Sequence, residues 1–502
     1  MNAFDKMFEK LLGSRYRNHI FLALILAFAL ALRLLFFTGI GASDSLAYAE
    51  LSYNFGNPEK ISHGDLFLSS RIGLFFPVNL LYGIFGVNEF SSNILVLLIS
   101  LASIVLIYKF GKLLFNEKAG LLSALLMSFF PMDVVFSTRL LSDIPSAFFA
   151  ALSVYFFLRS EKIKRKAKSG FYCLFSGLAL GAAYLIREMS LLMGLFFIVY
   201  VVYKRKIRME YFFMALGFVL MLSLEFLYFL SLTGNPFFRY MSISTEINTI
   251  VETDNYGRGS LPFSLFHYPY IIFTDSLLGL FYPFIFIAMA YFIMRKKRET
   301  YSMLFWFVPV LLYLSFGSES FARYVPIPVA ARFLFIISIP GILLLSYFLS
   351  QDEEIIRKIL MPSIIALLFL TSIGYIYASE HRFAINNEKS SYNYLQSLPE
   401  KTIYTDSRTA SIFDYLSGFK GGENIKSFNY YKFLDPESTY ALDLSQKKDS
   451  YVVINWNLIN FFVSSKKGIV FPEEIYDIPQ SWVLEKEFKG RGQEKIQIYY
   501  SP

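Results

Sequence analysis

Eleven mostly apolar runs govern what this chain can fold into: near residues 20–38, 92–109, 119–136, 144–158, 171–186, 189–203, 211–231, 271–294, 301–316, 333–350 and 359–378. A helix needs about 20 such residues to cross a bilayer. With 55% hydrophobic residues and a mean hydropathy of +0.46, the chain carries more apolar surface than one soluble core can hide. The expectation is an α-helical, multi-pass protein of the cell membrane. The net charge of +8 does not point to nucleic acid, because the basic residues fall in short clusters between apolar runs. The single cysteine, Cys173, lies inside such a run and leaves no intramolecular disulfide. Residues 1–19 carry Lys6, Lys10, Arg15 and Arg17 without a small-residue cleavage pattern after the first apolar run, and read as the flank of a retained helix.

Charge orients the spans. "RSEKIKRKAKSG" (159–170) and "KRKIRME" (204–210) must share one side, which requires a tight hairpin with Arg187 and Glu188 at its tip rather than one long helix over 171–203. Lys109, Lys112, Lys118 and "RKKR" (295–298) then fall on the same cytoplasmic side. An odd number of spans places the N-terminus inside, and the tail 380–502 outside with the loops 39–91, 137–143, 232–270 and 317–332. The first 379 residues read as the membrane domain, with two amphipathic helices of the 39–91 loop lying along the interface. Residues 380–502 read as a small extracytoplasmic α/β domain: strands at 401–406 and 450–456, a helix at 408–419, and a hairpin over 482–500 turning at Gly490–Gly492.

The outer face is where chemistry is expected. Asp44 opens "SDSLAYAELSYNFG". It is either a helix cap, with Ser43 as rival, or a positioned base, and the two roles are compatible. Arginines recur at predicted outer helix ends: Arg33, Arg71, Arg139, Arg187, Arg323 and Arg332. Each has a plain structural alternative; Arg33 can snorkel to headgroups, and Arg139 can pair with Asp143 four residues on. Their convergence on one face suits an anionic group, and forked guanidinium donors match a phosphate. His19, His63, His267 and His381 have no metal-ligand spacing, and no P-loop, Rossmann glycine pattern or hydrolase elbow is present.

Arg33, the Asp44-Ser45 pair and Tyr48, followed by "RIGLFFPVNLLYGIFG" (71–86), "STRLLSDIPSAFF" (137–149), "GLALGAAYLIREMSLLM" (177–193) and "ARFLFIISIP" (331–340), resemble recurrent stretches of one enzyme group. These are the C-type-fold membrane glycosyltransferases that use polyprenyl-phosphate sugars, specifically the protein O-mannosyltransferase and aminoarabinose transferase group in its prokaryotic form. The resemblance implies a C-type fold and an inverting transfer of a hexosyl or pentosyl group. The donor is a polyprenyl or dolichyl monophosphate and the acceptor a hydroxyl on a protein, lipid-linked glycan or lipid, at the outer face among membrane lipids. It implies Asp44 as base and donor-phosphate binding by Arg139, Arg187 and Arg332, with Arg33, Arg71 and Arg323 behind them. Tyr48, Asp143 and Glu188 are supporting residues. One departure stands out: the group's acidic pair is Asp-Glu, and here Ser45 holds the second position. No cofactor is called for and metal independence is expected, because a lipid monophosphate presents fewer charges than a nucleotide diphosphate. A transporter or flippase of lipid-linked sugars, which does not need Asp44, and a non-enzymatic scaffold displaying the tail, which tolerates loss of the outer-face arginines, are the competing classes.

Overall fold

Segments placed in hydrocarbon must satisfy their backbone groups internally, which selects helix, and the chain is mainly helical. The computed structural model describes residues 17–41, 43–59, 68–252, 266–320, 324–383, 385–421, 424–427, 432–433, 448–465, 469–470, 478–490 and 495–502. The chain divides into two compact units. The first comprises Met1–Gly39, Asn54–Asn79 and Asn93–Arg382; the second comprises Ile40–Tyr53, Leu80–Ser92 and Phe383–Pro502. Two pieces of the 39–91 loop thus group with the tail.

Seven helices among the described residues are long and apolar enough to cross a membrane: Arg17–Leu35, Glu89–Leu114, Lys166–Ile186, Tyr211–Thr233, Arg298–Phe316, Ala331–Leu349 and Ile356–Ser379. The other four expected runs differ in instructive ways. The 144–158 run forms the helix Asp143–Glu161. The run 119–136 is two helices, Glu117–Ser128 and Pro131–Phe136. Pro131 lacks an N–H and starts a helix where that donor has no partner anyway, behind an extended Phe130. The run 271–294 is likewise divided into His267–Thr274 and Phe281–Met294, with Gly279 at φ +58° between them. Hydropathy passes straight through the first break, where Phe129 and Phe130 are apolar, whereas the second holds Asp275 and Ser276 within an otherwise apolar run. The 189–203 run is a short 3₁₀ stretch, Glu188–Leu192, followed by the helix Met193–Lys204. Arg187 lies in extended backbone (φ −160°, ψ 129°) between that stretch and Lys166–Ile186, so the region is two helices and not one.

Small residues bring one helix pair close. Lys166–Ile186 packs on Tyr211–Thr233 through Gly177, Gly181 and Gly217. A Cβ on Gly177 would lie 1.9 Å from the Met214 carbonyl oxygen, so any larger residue pushes the backbones apart. The Lys166–Ile186 helix also packs against Asp143–Glu161. That contact carries Arg187, at the end of the former, toward Asp143, at the start of the latter.

The second unit holds a five-stranded sheet in the order Ile425–Ser427, Thr402–Thr405, Ser450–Asn455, Lys495–Ser501, Val483–Lys489. The first three strands are parallel and the last two join antiparallel. Every residue of Ser450–Asn455 is buried, as a run of consecutive apolar residues in a central strand requires. The expected strands, the helix (observed as Ser407–Leu416) and the C-terminal hairpin are all present. Of the expected turn, residues 491 and 492 lie outside the described set.

Candidate functional site

Five arginine side chains of the first unit are held by the interior, and what separates them is what each is bonded to. Arg33 is fully buried. Its Nε donates to Ser100 Oγ (2.8 Å) and its Nη1 to the carbonyls of Ala29 (2.9 Å) and Ser128 (3.0 Å). Its Nη2 pairs with Asp133, which also accepts from Ser100 Oγ at 2.6 Å. Expected at the donor phosphate, Arg33 is instead locked into a sealed ion-pair network, and it neither snorkels nor reaches an open surface. A buried carboxylate on the Pro131–Phe136 helix took the place that sequence reading gave to solvent or ligand.

Arg187 presents the opposite case. Its Nη1 pairs with Asp143, and its guanidinium stacks over the Phe333 ring at 4.6 Å, with Arg332 on the same ring at 5.9 Å. Asp143 therefore pairs with Arg187 rather than with Arg139, the partner expected from helical spacing. Asp143, Arg187, Arg332 and Phe333 line a small cleft together with Ser146, Ser190 and Met189. Among the described residues, Arg187 Nε, Asp143 Oδ2 and Ser190 Oγ are buried polar atoms with no hydrogen-bond partner, and all three residues line this cleft. Buried polar groups are rarely left so. A cleft with two guanidiniums, a hydroxyl and an aromatic wall is chemically suited to an oxyanion.

Behind the cleft, Arg71 donates to Glu188 Oε1 at 3.1 Å and to Ser142 Oγ at 3.4 Å. Burial works against ionisation of the Glu188 carboxyl, but Arg71, Arg187 and Arg239 outweigh it and hold the pKa at about 2. Arg239 was not anticipated. Its Nε donates to Glu225 Oε1 at 2.5 Å, and its Nη atoms donate to the carbonyls of Tyr184 (2.9 Å), Ser70 (2.6 Å) and Leu185 (3.1 Å). A carboxylate inside the apolar run 211–231 was the available signal, since intramembrane charges are normally paired. Arg139 is buried in the turn preceding Asp143–Glu161 and is not among the residues lining the cleft. Arg323 lies outside the described residues, as does His63. No group of three or more His, Cys, Asp or Glu among the described residues is arranged to hold a metal ion.

Asp44 and Tyr48 belong to the second unit. The Ser43 carbonyl accepts from the amides of Leu46 (2.9 Å) and Ala47 (3.2 Å), so Ser43 takes the capping position and Asp44 is the first residue of the helix Asp44–Tyr53. Ser43 Oγ donates to Asp44 Oδ1 at 3.3 Å. Ser45 is buried; its Oγ donates to the Gly41 carbonyl (2.8 Å) and accepts from the Gly41 amide (3.0 Å). It thus ties the backbone just ahead of Asp44. Tyr48 is buried in this helix.

Comparison with known proteins gives a consistent fold. The family model for dolichyl-phosphate-mannose-protein mannosyltransferases matches residues 72–229. ArnT from Cupriavidus metallidurans bound to undecaprenyl phosphate superposes with a TM-score of 0.59 at 14% identity, covering 95% of this chain and 97% of that one. The apo form of ArnT gives 0.57 at 15% identity with the same coverage. The archaeal oligosaccharyltransferase AglB from Archaeoglobus fulgidus, in complex with an inhibitory peptide and a dolichol-phosphate, gives 0.52 at 11% identity, covering 93% of this chain and 76% of that one. No curated protein matches the chain in sequence. The chain has the fold of the C-type membrane glycosyltransferases.

Proposed function

On this fold, we propose that the protein is an inverting membrane glycosyltransferase that moves a sugar from a polyprenyl or dolichyl monophosphate to an acceptor hydroxyl at the outer membrane face. The observation that carries the reading is the cleft in which Arg187, Arg332 and Ser190 gather beside Asp143, with polar atoms left unsatisfied. The family match over residues 72–229 and the undecaprenyl phosphate and dolichol-phosphate bound by the two structural relatives support the same donor class.

In this proposal Arg187 and Arg332 receive the donor phosphate. Asp143 and Phe333 fix the Arg187 guanidinium before the donor arrives, so little reorganisation remains when charge develops. Glu188 holds Arg71 at the rear. Arg33 leaves the donor-binding set, because its donors are engaged. Asp44 takes the proton of the acceptor hydroxyl as its oxygen forms a bond to the anomeric carbon. The bond from that carbon to the phosphate oxygen breaks, and the phosphate departs with the electron pair on its lipid. No step calls for a metal ion.

The test is transfer by the reconstituted protein with a panel of polyprenyl-phosphate sugars, wild type beside Asp44→Asn. Loss of a general base lowers the rate by roughly 10²- to 10⁴-fold. Full transfer by Asp44→Asn would remove Asp44 from the mechanism, and no transfer from any donor would remove the reading itself.

A further inference from the structure

The second unit joins three stretches that are remote in sequence, and the bonds that join them converge on the backbone just ahead of Asp44. Glu89 Oε1 accepts the Ile40 amide at 3.2 Å. The same carboxylate is bridged by Lys389 of the tail, whose Nζ lies 2.8 Å from Oε1 and 2.9 Å from Oε2. One residue beyond Ile40, Gly41 is tied to Ser45 through both its amide and its carbonyl. At the other end of the Asp44–Tyr53 helix, Tyr53 packs on Phe419 with ring centroids 4.9 Å apart, and Ser407–Leu416 of the tail lies against this helix. A further bridge runs through Ser92, whose Oγ is 2.8 Å from Tyr82 OH and 2.9 Å from Tyr415 OH, the latter buried.

A partly exposed Lys-Glu pair is a weak source of stability in itself. Lys389 and Glu89 are 25% and 28% exposed, so their ion pair adds little to stability. The bond from Glu89 to the Ile40 amide is different in kind, because it sets a backbone position four residues before Asp44. We propose that Lys389 and Glu89 are positioning residues, through which the C-terminal domain fixes the backbone at Ile40 and Gly41 and hence the direction of the Asp44 carboxylate. This rests on Asp44 being the base. The role given to the tail is to hold the catalytic loop of its own chain.

The experiment uses the full-length protein in lipid nanodiscs, comparing wild type, Lys389→Met, Lys389→Arg, Glu89→Gln and the reversed pair Glu89→Lys with Lys389→Glu. Two readouts are taken: steady-state transfer, and amide hydrogen exchange at residues 40–53. A misdirected base costs roughly 10- to 100-fold in kcat, with KM for the donor unchanged. Lys389→Met and Glu89→Gln are expected to show that loss together with faster exchange confined to 40–53, and Lys389→Arg is expected to restore both. The reversed pair is expected to stay unprotected, because a lysine at position 89 cannot accept the Ile40 amide, and full recovery in it overturns the role given to that bond. Unchanged exchange at 40–53 in Lys389→Met overturns the proposal, as does an equal rise in exchange throughout 383–502, which marks a merely structural pair. If exchange responds as expected while wild type transfers no sugar, the clamp stands and the glycosyltransferase reading falls.

Discussion

Two arginine–aspartate pairs in the first unit have the same chemistry and opposite consequences. In Arg33–Asp133 the guanidinium is fully engaged: it donates to Ser100, two carbonyls and its acid, and although Asp133 Oδ1 has no partner, both side chains are wholly buried. Arg187–Asp143 is unsaturated, with Arg187 Nε and Asp143 Oδ2 left over at the edge of a cleft shared with Arg332. Each polar atom left unsatisfied around an ion pair in an apolar interior costs free energy. Where the guanidinium is fully engaged and away from the cleft the pair is architecture, and where its Nε is left over beside the cleft the pair is equipped to meet a ligand.

The comparison breaks most readily at Arg33. Arg33→Met leaves Asp133 buried without its cation and is expected to destabilise the protein by about 3–5 kcal/mol, read as loss of folded protein or a lowered thermal midpoint in detergent. Adding Asp133→Leu should recover much of that stability. If Arg33→Met instead kept its stability and lost only transfer, the sealed pair would have to be moved into the active site. The mirror experiment is Arg332→Ala, which touches the open side. Transfer should fall roughly 10²- to 10³-fold, the loss typical of one preorganised oxyanion donor, with the thermal midpoint close to wild type. A matched fall in stability would make Arg332 architecture as well.

The smallest effect comes from Glu188. Its folded pKa is held at about 2 against an ordinary 4.5, so its contribution is present in full above about pH 4.5 and is lost as pH falls toward 2. The stability gap between wild type and Glu188→Gln should therefore be constant from about pH 8 to 5 and close below 4.5. A gap that changes between about pH 8 and 6 would contradict the arginine cage around this carboxylate.

How much of this could be read from the residues alone differs between the fold and the site. Span length and hydropathy carry the helical class, and alternation with turn residues carries the tail's strands, because both are local properties. The break at Pro131 escapes hydropathy, which registers apolarity and not backbone geometry. Arg187, Arg332 and Asp143 were identifiable as charges at helix ends, yet their grouping depends on the glycine-mediated approach of Lys166–Ile186 to its neighbours. The partners of Arg33 and Arg239 were missed for the converse reason: Asp133 and Glu225 sit inside apolar runs and register only as blemishes in them. Glu89 and Lys389, 300 positions apart, leave no local trace at all.

That separation also bears on time. Ile40–Tyr53 is synthesised well before Lys389, Tyr415 and Phe419, which hold it or its neighbours. At about 5–20 residues per second, the wait between Glu89 and Lys389 is on the order of 15 to 60 s. Contacts of such long range form late because loop closure must precede them. The nascent chain consequently enters the membrane with its Asp44 segment unheld, and the second unit closes only when residues 389–419 have followed.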